Sequence, residues 1–137
     1  MMMMFRGALA AMLLWAAQAQ AAQFSTMQAT LSGVGTSAPF QVTPPLFVSS
    51  SAGFLPPAIL ASLSSGASLT YSIQVTGDNC LASGYNAATG NWVPFTGMAG
   101  LTASAASTLG AAVVCIRASV TSWTSGTLVL QFVQQGN

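Results

Sequence analysis

Residues 69–76 alternate without a break. Leu69, Tyr71, Ile73 and Val75 fall on one side; Thr70, Ser72, Gln74 and Thr76 fall on the other. Period-two alternation marks a strand with one face buried and one wet, and it cannot lay an apolar stripe along a helix. A second stretch repeats the pattern, with Val114, Ile116, Ala118 and Val120 opposite Cys115, Arg117, Ser119 and Thr121. From Phe24 onward, short runs rich in β-branched and aromatic residues are separated by Gly, Pro and Ser, and nothing reads as a long helix. These runs predict strands over residues 27–34, 40–43, 46–50, 68–76, 91–95, 113–123 and 127–134. Residues 58–63 (AILASL) are too few for periodicity to separate one helical turn from a strand. Pro44-Pro45 and Pro56-Pro57 belong at edges, corners or loops, because Pro cannot donate to a ladder. The expected fold is therefore all-β: a single antiparallel β-sandwich or jelly roll over residues 22–137.

Two alternating strands invite a register. In an antiparallel ladder, opposed positions add to a constant, and Cys80/Cys115 share that constant with Asp78/Arg117. The same register sets Val75 against Val120, Thr76 against Ser119 and Gly77 against Ala118, matching apolar with apolar and polar with polar. A slip of one residue would destroy the match. It predicts a structural Cys80–Cys115 disulfide beside an Asp78–Arg117 ion pair, with the two cysteine Cα atoms closer than about 7 Å. Farther on, the turn around Ser125-Gly126 predicts a hairpin. A three-residue loop over 124–126, with Gly126 left-handed, would pair Val120 with Leu130 and Ala118 with Phe132.

Charge decides what such a sandwich can do. The chain has two basic residues, one acidic residue and no His, against a usual quarter of charged residues. Arg6, Asp78 and Arg117 are the whole set. Without His there is no Ser-His-Asp or Cys-His nucleophile and no ordinary zinc site. One carboxylate excludes paired-carboxylate glycoside chemistry within the chain. A lone Ser or Thr nucleophile would have no general base. Two Arg make no basic patch for phosphates, so nucleic acid is not an expected partner. The Gly-rich pieces LSGVG and GMAG lack the Lys and helix start of a phosphate loop and read as turns. No catalytic, cofactor-binding or metal-ligating residue is expected.

The N-terminus reads separately. Arg6 precedes an apolar run over 7–17 (GALAAMLLWAA), short of the roughly 20 residues a membrane span needs. Small residues at cleavage spacing follow, Ala17-Gln18-Ala19 and Ala19-Gln20-Ala21. Residues 1–21 thus resemble a secretory signal peptide, and the alternative is an over-extended reading frame with translation starting at Met27. After cleavage at Ala21, one acid and one base would remain, a neutral surface better suited to a subunit among neighbours than to a free monomer. An isolated cysteine pair in an exported chain fits a structural bridge, since no CxxC or activating base is present. The loop SGYNAATGNW offers Tyr85, Asn91 and Trp92 as a candidate ligand or partner loop. Ring faces stack on sugars and amides bond hydroxyls, or the same residues plug the end of a sandwich.

The order of features resembles small structural proteins of tailed bacteriophages. The succession is LSGVGTSAPF, then YSIQVTGD, then NWVPF with a Leu-Thr and Ala/Ser-rich stretch, then IRASVTSWTSGTLVLQFVQ. It spans most of residues 27–135 and is most specific over 116–126. The resemblance implies a β-sandwich or jelly-roll virion component, with capsid cement or decoration subunits among its roles. Asp78 and Arg117 sit at that pattern's recurring Asp and Arg positions; the export-type N-terminus and the cysteine pair stand outside it. The resulting expectation is a non-enzymatic virion protein that binds shell subunits or its own copies, with no nucleic acid and no stable membrane span. The other reading is a secreted, periplasmic or cell-surface adhesin or fibre subunit, glycan-binding through Trp92 and Tyr85.

Overall fold

The structure is a computed structural model that describes residues 24–42, 56–110 and 113–135. The signal-like segment over 1–21, the strand expected over 46–50 and Pro44-Pro45 lie outside the described residues. Among the described residues, nine strands follow one another: β1 (Phe24–Leu31), β2 (Gly35–Thr36), β3 (Phe40–Gln41), β4 (Ala58–Leu63), β5 (Ser68–Thr76), β6 (Val93–Pro94), β7 (Ala105–Thr108), β8 (Cys115–Ser125) and β9 (Leu128–Gln135). They form two antiparallel sheets, one ordered β1-β9-β4-β7 and the other β2-β8-β5-β6, with β3 also on β8. The fold is an all-β sandwich. Residues 58–63 are a strand, paired with β7 on one side and β9 on the other.

The alternation puts the core where the sequence placed it. Leu69, Tyr71, Ile73 and Val75 of β5 and Ile116, Ala118 and Val120 of β8 are buried, and they meet Ile59 and Ala61 of β4 and Leu128, Leu130 and Phe132 of β9. Each fully buried large side chain stabilises the fold by about 1.5–3 kcal/mol through its removal from water. The polar tip of Tyr71 is satisfied by donation to Ala103 O at 2.9 Å, as a buried phenol requires. The edge β2/β3 is interrupted at Ser37-Ala38-Pro39. There Ser37 N donates to Ala118 O (2.9 Å) and Ala118 N donates to Ser37 Oγ (3.0 Å), so the side chain replaces a lost ladder bond.

Two expected pairings are corrected. Between β5 and β8, Cys115 faces Thr76, Arg117 faces Gln74, Ile116 faces Val75, Ser119 faces Ser72 and Val120 faces Tyr71. The expected partners lie four positions farther along the chain from β5's true ones. A shift by an even number keeps every side chain on its own face, so alternation cannot tell the two registers apart. The chain settles the matter at Gly77. There Asp78 N bonds Thr76 Oγ1 at 3.0 Å and Asn79 caps a turn, ending β5 before Asp78 and Cys80 could join the ladder.

The second correction concerns the expected hairpin over 124–126. Strands β8 and β9 lie in different sheets; Leu130 is opposite Ala29 and Ala61, not Val120. Alternation shows which face is buried, and two apolar faces meet as well across the core as side by side. Both edges of β9 are already taken, by β1 and β4. Gly126 is left-handed as expected (φ 88°), but it serves a crossing between sheets. A Cβ there would strike Ala67, beside the parallel crossing from β4 to β5 at Gly66 (φ 72°). Ser64 N donates to Thr127 O and Thr127 N to Ser64 Oγ, both at 3.0 Å, which ties the two crossings together.

Candidate functional site

Asp78, Arg117, both cysteines, Tyr85 and Trp92 converge on the outward face of the β8/β5 sheet. The shared outer row there is Cys115, Arg117 and Ser119, set against Thr76, Gln74 and Ser72. Loop 77–92 folds back over that row. Its near end is fixed by the Cys80–Cys115 disulfide, with Cα atoms 6.2 Å apart and Cys80 N bonded to Cys115 Sγ. The expected bridge is therefore present, but it joins a strand to an overlying loop, where two opposed strands were anticipated.

Arg117 does not pair with Asp78. Its Nε donates to Gln74 Oε1 at 2.8 Å and its Nη1 to Ala87 O at 2.7 Å, while the guanidinium lies 4.1 Å from the centre of the Trp92 ring. Gln74 supplies the acceptor because it stands directly opposite in the true register. Burial lowers the Arg117 pKa, an effect partly offset by the nearby Tyr85 hydroxyl; an arginine nevertheless keeps its charge in a protein. Asp78 instead closes the base of the loop, accepting from Asn91 N at 3.0 Å and Asn91 Nδ2 at 3.4 Å. The ion pair is replaced by two separate clamps, one at the loop's base and one beneath its middle.

The three loop residues singled out by sequence serve the same closure. Trp92 Nε1 donates to Ala87 O at 3.0 Å, the carbonyl that Arg117 also binds. Tyr85 turns its hydroxyl against Gly90, where any Cβ would collide with it, and that oxygen is buried without a hydrogen-bond partner. Asn91 is held by Asp78. Stacking on Arg117 and bonding within the loop leave Trp92 half-buried, not displayed as a platform. Ala87 is the functional position that sequence reasoning missed. Its contribution is a carbonyl oxygen, which no side-chain pattern reveals.

Among the described residues, no loop is tied down over the opposite side of the sandwich. On the outward face of the β1-β9-β4-β7 sheet, one row reads Gln28, Gln131, Leu60 and Ala106, all uncharged, and Gln131 Nε2 donates to Gln28 Oε1 at 3.2 Å. Among the described residues, strand β1 pairs only with β9. Its other edge is unpaired among those residues. No protein family, curated protein or solved structure matches this chain.

Proposed function

We propose that the protein is a non-enzymatic structural subunit that works by binding protein neighbours, in the role of a capsid cement or decoration subunit of a phage particle. The observation that carries this reading is the uncharged outer face of the β1-β9-β4-β7 sheet, which ends at a strand edge that no described residue pairs. Such a surface offers apolar area from Leu60 and flanking Val side chains, together with Thr and Gln hydrogen-bonding groups, and gains most when a neighbour buries it. The side chains able to do chemistry support the same reading, because Arg117, Asp78 and both cysteines are engaged in holding loop 77–92. The resemblance to small phage structural proteins supplies the particular role. Mass spectrometry of purified particles tests it. The subunit should be present in fixed stoichiometry with the shell protein; its absence from virions refutes the assignment.

A second reading has one specific observation in its favour. The disulfide belongs with an oxidising compartment, which fits an exported adhesin or fibre subunit with residues 1–21 removed. The mature N-terminus separates the two: a start at Ala22 with an oxidised bridge favours export to the periplasm or cell surface, and a start at Met27 favours assembly inside the cell. Within this second reading, Trp92 offers a glycan only what Arg117 and Ala87 O leave of its ring, and glycan-array binding should be lost in Trp92→Ala.

A further inference from the structure

Among the described residues, three of the four sheet edges are guarded against pairing with another chain. Strand β7 has four residues, β6 has two and contains Pro94, and β2/β3 is broken at Ser37-Ala38-Pro39. Short length, proline and interruption are the usual means by which proteins blunt an edge. Strand β1 has none of them. It runs eight residues, FSTMQATL, without charge, proline or a register shift against β9.

We infer that the edge of β1 left unpaired by the described residues binds the same edge of a second copy, antiparallel, with Gln28 on the two-fold axis. The inference deepens the protein-binding reading and rests on it for the use of this edge, and on a chain that keeps Phe24–Thr26 ahead of Met27.

The register follows from the faces. A two-fold axis normal to the sheet requires opposed residues to share a face. Centring on Gln28 sets Gln28 against its own copy and Thr26 against Thr30 on the outer face. On the inner face it sets Met27 against Ala29, a large side chain against a small one. The side-chain row leads into this axis. Gln131 donates to Gln28 Oε1, and the amide N–H groups of Gln28 have no partner among the described residues. Across the axis they meet the second Gln28, completing a Gln131-Gln28-Gln28-Gln131 amide ladder that continues two four-stranded sheets as one of eight. Charge raises no obstacle, because no charged residue lies on β1 or on β9 beside it.

The test is sedimentation equilibrium on the full chain, purified in the form the expressing cell leaves it. The expected wild-type behaviour is a reversible dimer with a dissociation constant of about 10 μM to 1 mM, the range for a small interface. Gln28 is exposed, so Gln28→Lys and Gln28→Glu should keep the wild-type thermal transition. Each alone should weaken dimerisation by about five- to tenfold through like charges facing across the axis, and an equimolar mixture should restore it. A wild-type monomer throughout that range overturns the inference. So does a dimer indifferent to both substitutions, or a mixture that is not rescued. Particle composition is measured independently, so the assembly role and this interface fail separately.

Discussion

The two outer faces of the sandwich are treated in opposite ways. Over the β8/β5 sheet, a loop of sixteen residues (77–92) is bolted down by a disulfide, a guanidinium and a carboxylate. The outer row of the β1-β9-β4-β7 sheet, by contrast, carries no charge and no comparable fastening among the described residues. A protein with only two charged residues beyond the signal-like segment uses both of them on one side. The contrast shows where polar groups are needed: a loop without a core of its own has to be held by specific bonds, whereas the neutral face suits the neighbour proposed for it.

Breaking the covered side should have the largest consequence. Replacing both cysteines with Ser removes a cross-link between positions 35 apart, and unfolding in urea should show a loss of about 3–4 kcal/mol. Limited proteolysis should then cut within 77–92 first. Arg117→Met comes next. It strips donors from Gln74 Oε1 and Ala87 O and uncovers one face of Trp92, at a cost of about 2–3 kcal/mol. Tryptophan fluorescence shifted to the red would report the exposed ring. Gly126→Ala tests the joint between the sheets, where a left-handed backbone and contact with Ala67 combine. Its thermal transition should fall by the equivalent of about 2 kcal/mol or more.

Alkaline pH gives a smaller and separable effect. Burial raises the Tyr71 pKa above its ordinary 10, so above about pH 10 the unfolded chain releases a proton that the folded chain keeps. Stability should therefore decline as pH rises through that region. Tyr71→Phe should remove the decline, at the cost of about 1 kcal/mol for the lost bond to Ala103 O. The smallest effect belongs to the bare side. Gln28→Lys should leave folding stability within about 0.5 kcal/mol of wild type, in contrast to Arg117→Met on the covered side.

Much of this was legible in the sequence, for definite reasons. Alternation in 69–76 and 114–120 marked the buried faces, and the cysteine pair marked the bridge. What alternation does not carry is register beyond odd and even, nor whether two apolar faces meet across a sheet or across the core. That gap hid Gln74 as the partner of Arg117, and it made β8 and β9 look like a hairpin. Strand β7, Ala105–Thr108, escaped notice because Ala and Ser have no strand preference; its pairing with β4 makes it a strand. The clamp on Ala87 was hidden in the backbone.

The contrast between a closed face and an open edge is tested most directly by residue-resolved amide hydrogen exchange at low and high protein concentration. The account predicts that amides within Phe24–Leu31 gain protection as concentration rises, while those of loop 77–92 keep the same protection throughout. Concentration-dependent protection in loop 77–92 or in β7, with Phe24–Leu31 unchanged, would contradict it.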